Sequence, residues 1–210
     1  SGQAGSGASK FNSTTIKLGQ DDDFLVVNGL VSASASIIKG NEGDDEITFN
    51  NAAGAGTTAA DVFIAAGAGA DVINASWTGT EAAGFRVKAG NGDDVLSGTF
   101  QSVSALSGAS TGQSGLVFRG NKGADVINLD VLGTAAEVNV KGNSGADTIF
   151  VSAASDINDI TIAGGKDADV ISAVMANAGS AIGLSVQGND GDDIVGANFS
   201  GNFLSGFTLG

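Results

Sequence analysis

Histidine, cysteine, proline and tyrosine are all missing from this 210-residue chain, and lysine and arginine together number only nine. Without histidine there is neither the commonest general base nor the usual transition-metal ligand. Without cysteine there are no disulfides and no thiolate metal sites. The absence of proline, beside 34 glycines, excludes both collagen and proline-rich disorder. Nine cations against 23 acids leave a formal charge of −14, the wrong sign for a nucleic-acid partner, which needs clustered Lys and Arg. No run of 18 apolar residues is present, so membrane insertion is not expected. No paired Glu cluster and no base beside the many Ser and Thr residues can be found, so no catalytic residue is assigned and no enzyme is expected.

What is present is apolar material, 42% of the chain, too much for a solvated tail. It is mostly Ala, Val and Ile, which suit thin layers of β-structure. It is also periodic. One pattern recurs: apolar, any, apolar, any, Gly, Asn, any, Gly, any, Asp, any, apolar. Clear copies run from Ile38 to Ile47, Phe118 to Ile127, Val140 to Ile149 and Val186 to Val195. Weaker copies run from Ile16 to Leu25, Ile64 to Ile73, Val87 to Leu96 and Ile162 to Ile171. In one gapless register the eight copies align Asp23, Asp45, Asp71, Asp94, Asp125, Asp147, Asp169 and Asp193. Successive Asp residues lie 22, 26, 23, 31, 22, 22 and 24 residues apart. A base period of 22 with variable insertions is the mark of a solenoid whose loops differ in length.

Period-2 alternation flanks each turn and predicts strands with one buried face. Val138 and Val140, Ile160 and Ile162, and Leu184 and Val186 should point inward before the turn. Ile47 and Phe49, Ile127 and Leu129, and Ile149 and Val151 should do so after it. The expected fold is all-β: a parallel β-solenoid of about eight coils, each with one Gly/Asn/Asp turn and a looser second corner of small residues such as Gly133 to Ala136. The expected organisation is a single segment over residues 1–210, an excerpt of a longer array, with an irregular N-terminal stretch over 1–15. Gly98 to Ser114 should bulge out as a loop. Trp77 and Phe100 fall in connecting stretches and should plug the core ends or sit exposed.

Stacked coils place like residues above one another, so the eight carboxylates should form a column roughly 5 Å apart, repelling unless neutralised. Hard divalent cations accept many oxygen ligands, and calcium fits best. Gly at the first and fourth turn positions suggests φ > 0, which Asn at the second position also tolerates. Backbone carbonyls of Gly40, Glu42, Gly43, Gly120, Lys122, Gly123, Gly142, Ser144, Gly145, Gly188, Asp190 and Gly191 complete the candidate ligand set beside the eight Asp side chains. Lys17, Lys39, Lys88, Arg119 and Lys141, each just before the first turn position, should form an outward basic stripe, read here as solvated and charge-balancing.

The unit Gly40-Asn41-Glu42-Gly43-Asp44-Asp45-Glu46-Ile47-Thr48 resembles the nonapeptide Gly-Gly-x-Gly-x-Asp-x-apolar-x of the repeats-in-toxin (RTX) calcium-binding family, with Asn in place of the second Gly. The resemblance implies a β-roll with calcium held between stacked turns by the Asp and by turn carbonyls. Such family members carry a turn at both ends of every coil; here one corner carries it, so one column of several ions is expected. Leu18, Ala66 and Ala89 replace the first Gly, and Asp21 and Asp167 the fourth, which makes the gaps beside those turns the weakest candidates.

The function expected is that of an extracellular structural or adhesive module, at the cell surface or on a virion: a surface layer, an extracellular filament or a phage appendage. Its partners would be further copies or other subunits of that assembly, with a surface glycan as a candidate ligand. The alternative is an accessory calcium-binding or secretion module of an exported enzyme or toxin.

Overall fold

The computed structural model describes residues 9–51, 57–104, 115–178, 181–201 and 204–210. These residues form 19 strands in one continuous sheet that winds coil upon coil. Every strand pairing is parallel and joins a segment to its counterpart one coil away: Val138, Val140 and Lys141 stand beside Ile160, Ile162 and Ala163, which stand beside Leu184, Val186 and Gln187. The described residues contain no helix. The chain is a parallel β-solenoid, as the repeat predicts.

One coil is seen plainly in the strands Ala135–Ser144 and Thr148–Ala153, with the Gly/Asn/Asp turn between them and Ile157–Lys166 opening the next coil. Alternation along the strands decides what is buried, because successive side chains face opposite sides. All twelve residues read as inward from the pattern are at most 1% exposed. Core residues of different size share a register, with small Ala75 and Gly98 between large Phe49 and Leu129, and any Cβ at Gly98 would press on the rings of Phe100 and Phe118.

Trp77 and Phe100 are fully buried, which excludes the exposed one of the two placements expected for them. They form a bridge on adjacent coils and belong to an aromatic chain: Phe11 lies 5.5 Å from Phe49, Phe49 5.8 Å from Phe85, Phe85 5.3 Å from Phe100 and Phe100 6.0 Å from Phe118. The bulge expected over Gly98 to Ser114 is narrower at its start. The strand Val95–Phe100 continues through Gly98, and Val103 bridges Ala82 and Ala135; residues 105–114 lie outside the described set. Within the N-terminal stretch, Ser9–Asn12 pairs in parallel with the strand Phe24–Glu42.

A further corner has its own register, ten residues before seven of the eight Asp residues. Ser13, Ala35, Asp61, Gly84, Glu137, Asp159 and Gly183 stand there with φ between 46° and 69°. In these seven coils one left-handed residue turns the chain from a short third segment, such as Ala135-Ala136, into the long strand. Five of these seven are not glycine, so each carries the strain of a Cβ in the left-handed region.

Glu137→Gly is therefore expected to be neutral to stabilising, by up to about 1 kcal/mol, since relief of that strain is offset in part by chain entropy. Gly183→Ala, whose methyl would strike Asp159 at φ 69°, should destabilise by about 1–2 kcal/mol. Denaturant melts of both variants check this, and a destabilised Glu137→Gly would contradict the corner's assignment.

Candidate calcium-binding turn column

Seven hydrogen bonds bring the eight aspartates into one file. The backbone N–H of Asp23 donates to Oδ1 of Asp45, that of Asp45 to Asp71, and so on to Asp193, at 2.8–3.0 Å. Each carboxylate thus fastens its own coil to the one before it. The six interior members, Asp45, Asp71, Asp94, Asp125, Asp147 and Asp169, are at most 2% exposed.

Their second oxygens are in a different state. Oδ2 of all six is buried and has no hydrogen-bond partner within the protein. A buried carboxylate oxygen without a donor is costly, and native structures rarely tolerate one. Here it recurs coil after coil.

The turn backbone explains where that oxygen sits. Left-handed φ occurs at the second and fourth turn positions, as at Asn143 (87°) and Gly145 (118°), and not at the first, which corrects the sequence expectation for the first glycine. The first glycine leaves space for the carboxylate: a Cβ at Gly40, Gly120, Gly142, Gly164 or Gly188 would meet Oδ2 of the Asp five residues on unless that side chain shifted. Ala66 and Ala89 stand at this position in their turns, yet Asp71 and Asp94 keep both the ladder bond and the unpartnered Oδ2. Losing the first glycine does not break the column.

Candidate carbonyls divide by position. Those of Lys122 and Ser144 accept N–H groups of Gly92 and Gly123 from the preceding coil, at 2.8 and 2.9 Å. Those of Gly43 and Gly123 lie against Gly69 and Gly145 of the following coil, where a side chain would collide. A carbonyl has two lone pairs, so a ladder bond leaves one acceptor site. Among the described residues no group of three or more metal-binding side chains gathers. An ion here would therefore draw on one carboxylate per turn plus backbone carbonyls. This all-oxygen donor set, with an unpartnered charged oxygen in each interior turn, fits calcium and not a soft or nitrogen-seeking metal.

A second set of acids was not legible as a set in the sequence. Asp22, Asp44 and Asp93 use Oδ1 to accept N–H groups of Asp44, Ala70 and Ala124, at 2.7–2.8 Å. These bonds reach forward to the next coil, whereas those of the inner column reach back. The signal was the Asp-Asp pair at 22–23, 44–45 and 93–94.

Burial raises the interior carboxyls above their ordinary range. The bond from the preceding Asp amide opposes this, and the charges of neighbouring aspartates add to it. Asp71 is pushed up to about 6, and Asp94, Asp125 and Asp147 to about 7, with Asp45 and Asp169 raised as well. A carboxyl raised in the folded state binds its proton there more tightly than when unfolded, at 3.8. Metal-free stability should consequently fall as pH rises from about 4 to about 7. Melting in chelator is expected to shift upward as pH is lowered from about 8 to 5, and calcium should flatten that slope by occupying the ionised column. Asp125→Asn keeps an acceptor for the Asp94 amide but cannot ionise, so its chelator curve should be shallower and its calcium response smaller. A metal-free melting point that climbs with pH would contradict this assignment.

Comparison with known proteins agrees with this geometry. The family model of the RTX calcium-binding nonapeptide repeat (4 copies) matches residues 57–77 and 133–157, which contain the turns that end in Asp71 and Asp147. A search of curated proteins and of solved structures found no significant match. The repeat so matched, on a parallel solenoid whose aspartates share one register, fits the RTX β-roll.

Proposed function

We propose that this chain is a calcium-stabilised structural or adhesive module that works outside the cell, as a stiff segment of a surface layer, an extracellular filament or a virion appendage. The observation that carries this reading is the column of six buried, unpartnered Oδ2 atoms, each beside a turn shared with its neighbours. The ions would lie in one column, held by Asp45, Asp71, Asp94, Asp125, Asp147 and Asp169 together with turn carbonyls. Calcium supplies positive charge there, offsetting the repulsion between carboxylates one strand step apart.

Sites that use one carboxylate per turn with neutral carbonyls belong to the weaker range of calcium affinity, which millimolar extracellular calcium fills. A chain held together by such sites stays loose at cytoplasmic calcium and stiffens on export. Each coil presents the same edge to the next, which suits load-bearing contact with further copies or other subunits of an assembly.

Calorimetric calcium titration with parallel circular dichroism tests the reading. Several ions per chain should bind, with a gain in β-signal and a higher melting temperature than in chelator. Identical spectra and melting temperatures in calcium and chelator would contradict it.

A further inference from the structure

The outer face of the strand before the turn carries a second column, and its charge is opposite to that of the chain. Lys88, Arg119 and Lys141 are in direct register on three successive coils. Arg86 lies two residues before Lys88, and with these three it makes four of the nine cations in the sequence. Like charges directly opposite one another on a sheet are destabilising. The fold has 23 acids available but places none in register with these three cations. Among the described residues Arg86 meets Asp61 at 3.5 Å, and no ion pair engages Lys88, Arg119 or Lys141. In the adjoining outward column the stretch beside these cations, Asn91, Lys122, Ser144 and Lys166, adds cations and amides, and carboxylates stand only at its two ends, at Glu42 and Asp190.

Three further observations bear on what would lie on this ladder. Arg86, Lys88, Val117 and Arg119 line a depression of about 160 Å³, and Nε of Arg119 is buried without a partner. Phe63, one coil before Arg86, faces outward with the Arg86 guanidinium 5.3 Å and the Lys88 ammonium 5.6 Å from its ring centre. Beyond Lys141 the column drops to Ala163 and rises again at Gln187, opening a groove of about 470 Å³ walled by lysine, amide and hydroxyl side chains, with the carboxylate of Asp190 at its far side.

We propose that Phe63, Arg86, Lys88, Arg119 and Lys141 form a binding face for a linear acidic polysaccharide running along the solenoid axis. Successive cations are one strand step apart, roughly 4.8 Å, close to the length of one sugar ring in an extended chain. A carboxylate or sulfate on each sugar therefore meets a cation on each coil. The apolar face of one sugar packs on Phe63, and the chain continues past Lys141 into the polar groove at Ala163. Guanidinium and ammonium groups bind either anion by charge-assisted hydrogen bonds. A flexible protein segment has no reason to match the coil spacing, whereas a stiff glycan does. The inference rests on the adhesive reading above and gives it a ligand class.

The test uses the calcium-loaded chain and three probes: a short oligogalacturonate, a dextran sulfate oligomer and a neutral dextran oligomer. One or both acidic probes should bind, weakening as salt is raised, and the neutral one should not. The triple variant Lys88→Gln, Arg119→Gln, Lys141→Gln should lose about tenfold or more in affinity while keeping its circular dichroism and melting no lower than the parent chain. Phe63→Ala should weaken binding by a smaller factor with no change in the salt slope. Binding to one acidic probe alone identifies carboxylate or sulfate as the group recognised. Unchanged affinity in the triple variant, equal binding of neutral dextran, or no binding of either acidic probe by a chain that folds with calcium would overturn the proposal. Failure of calcium to affect folding would strike the function proposed above and leave this binding result to be read separately.

Discussion

A single hydrogen bond, repeated seven times, organises this molecule: the amide of each turn aspartate donates to the carboxylate of the next. It draws carboxylates into a file, buries them between glycines and uses only one of the two oxygens. The other oxygen is left buried and without a donor from the protein in six turns. Backbone stacking favours the file, because it also aligns the strands and closes the core. Electrostatics opposes it, because like charges stand one strand step apart. Protonation or a bound cation relieves the conflict, and the first is available only below about pH 7 for the central members. A protein meant to be rigid at neutral or alkaline pH needs the second.

Much of this was legible in the residue order because a solenoid turns sequence register into spatial register. Once Asp23 through Asp193 align without gaps, their stacking follows, and strand alternation then identifies core residues such as Val140 and Ile149. The same rule placed Lys88, Arg119 and Lys141 in one outward column. Residues whose role depends on the neighbouring coil's backbone were harder to read. The first turn glycine looked like a conformational device. It is a steric one, since the carboxylate of its own turn fills the space that a Cβ would need. Nothing in a single repeat reports that.

The remaining differences come from places where the repeat is interrupted. Trp77 and Phe100 lie outside the shared pattern, and only the packing shows that they join Phe11, Phe49, Phe85 and Phe118 in one aromatic run. The left-handed corner escaped notice because its occupants share no chemistry: Ser13, Ala35, Asp61, Gly84, Glu137, Asp159 and Gly183 have in common only their backbone angle. A repeat recognised by side-chain identity passes over a repeat made of φ alone. The two acidic files, one reaching back a coil and one reaching forward, likewise separate only when donors and acceptors are assigned.

The most direct examination of the aspartate file is an anomalous-difference map from crystals grown in calcium, with terbium exchanged in for a stronger signal. Peaks in a single row beside Oδ2 of Asp45 through Asp169 are the predicted result. A map with the carboxylates in file but no peak along them, or with peaks confined to other surfaces, would contradict the account.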